Sequence, residues 1–259
     1  MAGERIVLLA IAVVFSGCIP APLYKSPYTF VGEEPHRATI APNVPQAEWT
    51  LSRARLAQMR SEVPQRPYVE RVRVAVEDPR TGKTYEARGA VAVSPEHAAR
   101  MVLVGPGGTT ALDLWVTRDR FRFSIPALKL EKRGGTDLGE ARGLPVSFLR
   151  WWFLGPLEGK LVLARSNEGE ASFLFRNGTA TVTMRTDGER FVAVRRQQGI
   201  AQLEGLEWKG HGLAPQAGDR GRYIDGDLGM HVDVLVEEVL EDEPDPAAFF
   251  DPDEESKAL

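Results

Sequence analysis

The chain has 259 residues, a formal net charge of −4 and a single cysteine. This length suffices for one domain with a sizeable core, and nothing in the sequence requires a second domain. A single cysteine excludes an internal disulfide.

The N-terminus has the order of a secretory signal peptide. Residues 6–15 form an uninterrupted apolar run that follows Arg5 and precedes small residues. A helix over this run covers about 15 Å, half of a hydrocarbon core about 30 Å thick, so it is too short to span a membrane. We therefore predict that residues 1–17 are a cleaved signal peptide.

The four residues at the end of this run, Phe15-Ser16-Gly17-Cys18, resemble the lipobox of bacterial lipoproteins, although Phe15 replaces the usual leucine. Acylation of Cys18 with fatty acids such as palmitate explains the position of the only thiol, the alternative being a chance cysteine in an ordinary signal peptide. Two or three acyl chains anchor a protein stably. Ile19 is not the aspartate that signals inner-membrane retention, which favours the periplasmic face of the outer membrane.

A proline-rich segment follows and leads into a helix. Residues 18–45 contain six prolines and no periodicity, which is typical of a semi-extended tether. Residues Ala47–Ser61 lack Gly and Pro and place apolar side chains near one helical face, which predicts an amphipathic helix that ends before Pro64 and Pro67.

Alternating apolar side chains dominate the rest of the chain. Val72, Val74 and Val76 alternate with other residues before a turn at 78–82, which predicts a hairpin with Tyr85–Val93. Asn177-Gly178 and Asp187-Gly188 are strong tight-turn signals. Further antiparallel strands are expected at Met101–Val104, Ala111–Thr117, Arg120–Ile125, Lys160–Arg165, Ala171–Arg176, Thr179–Arg185, Arg190–Arg196 and Leu228–Val236.

The segment Leu144–Leu154 interrupts this alternation. Pro145 suits the first turn of a helix, which would place Val146, Leu149 and Phe153 on one side and Phe148, Trp151 and Trp152 on the other. A helix that is apolar on nearly all sides must be buried or must contact apolar groups on both sides. The sheet supplies one side, and a lipid chain or a partner could supply the other.

Three successive stretches resemble strands of the LolA/LolB lipoprotein-carrier superfamily, and of LolB-like outer-membrane lipoproteins in particular. They are Arg88–Val93, Arg100–Gly108 and Ala111–Trp115, and the order of elements agrees from Ala47 to Leu240. The resemblance implies a mainly β fold: an antiparallel, incomplete and unclosed β-barrel over residues 46–240, with an N-terminal helix and an internal apolar lid helix over a cavity that holds acyl chains. The ligand-binding residues would then be Phe148, Leu149, Trp151, Trp152 and Phe153 on the lid and Leu112, Leu114, Phe121 and Phe123 on the sheet.

The sequence offers no positive sign of catalysis. Gly105-Pro106-Gly107-Gly108 lacks the Lys-Ser/Thr of a phosphate loop, and no GxSxG motif is present. The four histidines form no HExxH motif and have no cysteine partner, so we expect no metal, no cofactor and no enzyme activity. Sequence alone cannot pair the many carboxylates, which leaves a glycosidase open.

Charge is distributed unevenly along the chain. Residues 237–259 carry ten Asp or Glu and one Lys, a charge of −9, while Glu4 and Arg5 cancel and residues 18–236 carry +5. We expect residues 241–259 to be a disordered, solvated tail, with a docking segment as the alternative. Basic residues on several strands indicate a solvated face, or else contact with anionic lipid headgroups: Arg71, Arg73, Arg118, Arg120, Arg122, Arg195 and Arg196.

The favoured hypothesis is a lipid-anchored periplasmic lipoprotein that carries or receives the acyl chains of lipids or lipoproteins, in lipoprotein transport or envelope lipid handling. Its partners would be the membrane, through its own acyl chains, and lipids or lipoproteins, but not nucleic acid. The alternative is a structural or assembly lipoprotein of the envelope whose interior is simply filled. An empty interior favours the first hypothesis and a filled one the second.

Overall fold

The computed structural model of the protein describes residues 45–77, 81–95, 97–136, 139–141, 143–155, 157–166, 169–197, 202–210, 213–240 and 243–252. The predicted signal peptide, Cys18 and all but the last residue of the predicted tether lie outside the described residues. Within this part of the chain, no helix has both the length and the apolar content needed to cross a membrane.

In the described residues, thirteen antiparallel strands form a single sheet. The strands are β1 Tyr68–Glu77, β2 Thr84–Ser94, β3 Ala98–Val104, β4 Thr110–Thr117, β5 Arg120–Ile125, β6 Leu130–Gly135, β7 Lys160–Ser166, β8 Ala171–Asn177, β9 Ala180–Thr186, β10 Arg190–Gln197, β11 Gln202–Lys209, β12 Arg220–Asp225 and β13 Met230–Leu240.

The sheet consists of two meanders joined in the middle. Its order is β6-β5-β4-β3-β2-β1-β13-β12-β11-β10-β9-β8-β7. Strands β1–β6 form one arm of the sheet and β7–β13 the other, and the pairing of β1 with β13 joins the two arms. Strands β6 and β7 are the two edges and do not pair with each other. The prediction of a mainly β, antiparallel and unclosed barrel is therefore confirmed.

Alternation of apolar residues builds the core, because successive side chains of a strand point to opposite faces. Leu114 pairs with Phe123 and Val116 pairs with Phe121, so the two predicted apolar faces of β4 and β5 are one continuous face. Buried side chains of both arms belong to a single apolar core.

Helix α1, Gln46–Glu62, confirms the predicted N-terminal helix. It packs along edge strand β7, where Glu48 lies 3.7 Å from Arg165 and Arg60 donates a hydrogen bond to the Leu157 carbonyl. Leu56 is buried in the core. The helix thereby shields an edge whose backbone groups would otherwise be open to pairing with another strand.

The connection between the two edge strands differs from the single predicted helix. A short helix α2, Val146–Leu149, continues into a π-helical turn over Arg150–Leu154. This wider turn changes the direction of successive side chains, and Phe148 consequently contacts both Trp152 and Phe153, with ring centroids 5.0 and 6.3 Å apart. The two predicted faces of the segment are therefore not separate.

Strands β6, β11 and β12 were not predicted from the sequence. Strand β11 carries Glu204 and Glu207, both buried through ion pairs with arginines on β10, and these charges hide the apolar alternation. Strand β6 is rich in charged residues and ends in two glycines. Pairing with neighbouring strands stabilises all three despite their weak apolar patterns.

Part of segment 241–259 is ordered, which differs from the prediction of a disordered tail. Residues Pro246–Phe249 form a 3₁₀ turn in which the Ala247 N–H donates a hydrogen bond to the Asp245 side chain. The Phe249 carbonyl accepts a hydrogen bond of 3.0 Å from the indole N–H of Trp115, which is only 3% exposed although it lies on the outer face of β4. Trp115 on the outer face of β4 therefore explains why the acidic segment 243–252 packs against that face.

Deleting residues 243–259 is expected to destabilise the domain by about 1–2 kcal/mol, because Trp115 loses its cover and its hydrogen bond acceptor. For a domain of this size, that loss lowers the Tm by about 2–8 °C. Thermal unfolding followed by circular dichroism would measure it, with a deletion of residues 253–259, which leaves Phe249 in place, as the control. An unchanged Tm in the longer deletion would contradict the packing described here.

Candidate ligand cavity

A cavity of about 510 Å³ lies between helix α1 and the strands β9, β10 and β11. Its volume falls within the range of about 300–1,000 Å³ that is usual for small-molecule sites. Its apolar wall consists of Leu51, Ala54, Met59, Phe191, Trp208 and Leu213. Polar side chains at its border are Arg55, Gln58, Glu62, Thr186, Glu189 and Arg190.

The register of strands β9, β10 and β11 determines where the aromatic residues of the cavity wall lie. Phe191 on β10 pairs with Trp208 on one side and with Thr186 on the other, so these three residues form one row across the inner face. The rings of Phe191 and Trp208 stack with centroids 6.4 Å apart. Helix α1 closes the opposite side with Leu51, which remains 59% exposed and so lies at the mouth.

The polar border carries both signs of charge. Arg55 and Arg190 are cationic, while Glu62 and Glu189 are anionic. Arg190 is also held by Glu207, with Nε 2.8 Å from Oε1. The border therefore has no strong preference for an anionic or a cationic ligand, and the apolar wall dominates what the cavity can bind.

The nine sequence-predicted ligand residues lie elsewhere, in the closed core between the two arms. All of them are buried in that core and none lines the cavity: Leu112, Leu114, Phe121, Phe123, Phe148, Leu149, Trp151, Trp152 and Phe153. Trp152 reaches the cavity wall indirectly, since its ring meets Trp208 edge to face at 4.3 Å. A direct role of these nine in ligand binding stays a prediction.

The interior around Trp152 is filled. Its indole stacks on Phe153 and contacts Phe148 and Trp208. The ring also lies directly against the backbone of Gly221 on β12, where a Cβ atom would overlap it. At Trp152 the segment between the edge strands therefore forms part of the core. The space that is available to a ligand lies under α1.

Sequence reasoning missed the cavity residues Phe191, Trp208 and Leu213. The residues that could have indicated the site are Leu51, Ala54 and Met59, which the predicted helix presents in addition to the buried Leu56. The contact of this helix with one strand requires only some of these apolar positions. The remaining ones indicate that the helix makes a second apolar contact.

Carboxylates pair with six of the seven basic residues that the sequence analysis assigned to the strands. The distances are 3.0 Å for Arg71–Glu238, 2.7 Å for Arg73–Glu237, 2.9 Å for Arg118–Glu158, 4.0 Å for Arg120–Asp251, 3.5 Å for Arg122–Asp113 and 2.6 Å for Arg195–Glu204. Arg195–Glu204 is a buried pair. The other five pairs favour a solvated, ion-paired face, because an anionic headgroup would have to compete with carboxylates already in place.

No family model matches the sequence, and no curated protein matches it. Solved structures with a similar fold include a LolA superfamily protein from Nitrosomonas europaea, with 11% identity, a TM-score of 0.46, and 77% of this chain and 97% of that chain covered.

Two further structures are similar. A DUF1329 family protein from Desulfovibrio piger has 12% identity and a TM-score of 0.46, covering 80% of this chain and 98% of that chain. A predicted outer-membrane lipoprotein-sorting protein domain from Vibrio parahaemolyticus has 9% identity and a TM-score of 0.39, covering 75% and 94%.

Proposed function

We propose that the protein is a lipid-anchored lipoprotein of the periplasmic face of the outer membrane that binds acyl chains of lipids or lipoproteins in the cavity under helix α1. The cavity itself carries this proposal, because it is of ligand size and has an apolar wall, with polar side chains of both charges at its border. The work is binding and not catalysis.

The wall suits an acyl chain better than a compact polar ligand. The exposed Leu51 and Ala54 on α1 offer apolar surface beside the buried Phe191 and Trp208, and the flexible Met59 can adapt to chains of different length. Since an acyl chain offers area and few polar handles, selection among chains in this cavity is weak. A carrier or receptor for many lipoproteins needs that tolerance.

The packed interior around Trp152 favours the second candidate, a structural or assembly lipoprotein of the envelope. In that case the ordered segment 243–252 and the ion-paired outer face would dock another envelope protein. The two candidate functions differ in whether an acyl chain occupies the cavity beside Ala54.

Ala54→Trp is expected to weaken acyl binding by at least about tenfold, which corresponds to about 1.4 kcal/mol, because the exposed Ala54 borders the cavity and an indole there fills it. Titration of residues 19–259 with a pyrene-labelled fatty acid would measure the Kd. Ala57→Trp is the matched control, since Ala57 is exposed on the same helix and does not line the cavity. Equal weakening by both variants would exclude the cavity as the binding site.

Cys18→Ala is expected to abolish fatty-acid labelling and to release the protein from membranes or leave it uncleaved, because the described chain has no spanning helix to replace the anchor. Metabolic labelling with palmitate followed by membrane fractionation would show this. Label that persists on the variant would reject the lipobox assignment.

A further inference from the structure

Trp115 is a large aromatic side chain on the outer face of strand β4. Its chain neighbours Leu114 and Val116 enter the apolar core, so the alternation of the strand directs Trp115 to the opposite side of the sheet. Trp115 is nevertheless almost fully buried, although it is not part of that core. The outer face of an antiparallel sheet is usually solvated, so a buried tryptophan there indicates a contact with another segment.

The sheet around Trp115 is basic. Its partners on the neighbouring strands are Arg100 and Arg122, and the guanidinium carbon of Arg120 lies 5.8 Å from the centroid of the indole ring. A cation at this distance over an indole face is attracted by the ring. The outer faces of β3–β6 carry four arginines and two carboxylates, a charge of +2: Arg100, Arg120, Arg122, Arg133, Asp113 and Glu131.

Segment 243–252 supplies the contact that covers Trp115. Besides the hydrogen bond from the indole N–H to the Phe249 carbonyl, the Asp251 carboxylate lies 4.0 Å from the Arg120 guanidinium. The turn Pro246–Phe249 lies against β2 and β3. The segment has three carboxylates and no basic residue, a charge of −3 that complements the +2 of the strands: Glu243, Asp245 and Asp251.

The segment is held loosely. Among the described residues 243–252 only Pro244 is buried, and the Phe250 side chain is 58% exposed. The segment adds no strand to the sheet and no side chain to the apolar core. Its release would therefore expose Trp115 and Arg120 while the sheet and the core stay intact.

We propose that the outer face around Trp115 is a docking site for an extended acidic segment of another protein, and that segment 243–252 is a built-in competitor for this site. The observed contact defines the chemistry of the partner. A backbone carbonyl accepts a hydrogen bond from the Trp115 indole, and a carboxylate two residues later approaches Arg120. A polypeptide matches this spacing along one backbone better than an anionic lipid headgroup does. The site does not depend on the acyl-binding cavity, which lies on the inner face of the other arm.

The affinity of the docking site follows from the effect of its cover. The loss of stability expected for deletion of residues 243–259 corresponds to a preference of about five- to thirtyfold for the covered state. A segment joined by a short linker has an effective concentration on the order of 1 mM. Dividing this concentration by that preference gives a Kd of about 0.03–0.2 mM for the same segment supplied as a free peptide.

Binding of a fluorescein-labelled peptide of residues 243–252, followed by fluorescence anisotropy, tests the docking site. The chain 19–259 would be compared with Ala248→Pro, which removes the N–H that donates to the Asp245 carbonyl at 2.9 Å and so opens the covering turn without a change of net charge. We expect Ala248→Pro to bind the peptide with a Kd of about 0.1 mM, and the parent to bind it about five- to thirtyfold more weakly.

The chain without residues 243–259 is a second uncovered form, which keeps the test valid if the turn survives the proline. It should bind the peptide at least as tightly as Ala248→Pro does. Equal affinity of the parent and of this deletion, or no binding by either uncovered form, would overturn the competitor role of the segment.

Substitution of Trp115 tests the contact itself. In the Ala248→Pro chain, Trp115→Phe keeps an aromatic ring but removes the indole N–H, and it should weaken peptide binding by about fivefold. Trp49→Phe is the matched control and should leave the affinity unchanged, because Trp49 lies on helix α1, which packs on β7 in the other arm. A Trp115→Phe chain that binds the peptide as tightly as the Ala248→Pro chain would contradict the assignment of the site.

Two further ligands identify the class of partner. A peptide that keeps the acidic residues and the aromatic pair, with serine at every proline and alanine, should bind the Ala248→Pro chain within about tenfold of the native segment, because the change costs mainly preorganisation. Binding of the native sequence alone would restrict the site to its own cover and overturn the proposal of a partner. Displacement of the peptide by phosphatidylglycerol vesicles would assign the surface to a membrane and overturn it as well.

The docking site and the proposed function can be tested separately in the same chains. Ala54→Trp, which fills the acyl-binding cavity, should leave peptide binding unchanged, and Trp115→Phe should leave acyl binding unchanged. Peptide binding in a chain that binds no acyl probe would leave the docking site standing and reject the acyl-binding cavity. Acyl binding without peptide binding would do the reverse.

Discussion

Replacing Phe148 and Trp152 together with serine is expected to unfold the domain. Both side chains are buried, and their rings meet edge to face at 5.0 Å within the single core. Truncating a buried aromatic residue costs about 3–5 kcal/mol, and two such losses match or exceed the total stability of about 5–15 kcal/mol for many domains. Far-ultraviolet circular dichroism with a urea titration would show the loss of cooperative unfolding.

The conservative pair Phe148→Leu with Trp152→Phe is the control for this experiment. It keeps apolar volume in the core and should leave the sheet folded, with a loss of a few kcal/mol. If the serine variant instead unfolds as cooperatively as the parent, the segment is a lid over a cavity, as the sequence predicted, and the filled-core description is wrong.

Gly221→Ala is expected to destabilise the domain by about 1–3 kcal/mol or more, since the new Cβ would overlap the Trp152 ring between paired strands. The steric origin can be isolated with a double-mutant cycle. In a Trp152→Leu background the same glycine substitution should cost far less, because the smaller side chain leaves room for the Cβ.

One outcome of this cycle would contradict a steric origin of the cost. Equal costs of Gly221→Ala in both backgrounds would mean that the strand needs glycine for its backbone, and that Trp152 does not occupy the space in front of β12. Chemical denaturation of the four proteins supplies the four free energies of unfolding.

The alternation of apolar residues was sufficient to predict most of the sheet. Val72, Val74 and Val76 predicted β1 correctly because each side chain enters one core, and the pairs Leu114–Phe123 and Val116–Phe121 follow from the same periodicity. Prediction failed where burial depends on polar contacts between strands. Glu204 is buried because Arg195 and the Tyr223 hydroxyl bind its carboxylate, and neither partner is recognisable from sequence spacing.

The cavity could not be placed from sequence because its two walls are far apart along the chain. Ala54 and Met59 on α1 meet Phe191 and Trp208 only after the thirteen-stranded sheet has assembled. The ligand-binding site was instead predicted at the aromatic segment 144–154, because an all-apolar helix has the same sequence pattern whether it covers a ligand or fills a core. In the structure the Trp152 ring lies against Gly221, and a role of Trp152 in ligand binding stays a prediction.

Mass spectrometry of lipids retained by purified residues 19–259 tests the acyl-binding proposal most directly, because this form carries no acyl chain of its own. We expect an acyl lipid to copurify with the parent and with Ala57→Trp, and to be lost from Ala54→Trp, whose indole fills the cavity. Retention of the same lipid by Ala54→Trp, or no lipid in any of the three proteins, would contradict the proposal that the cavity under helix α1 binds acyl chains.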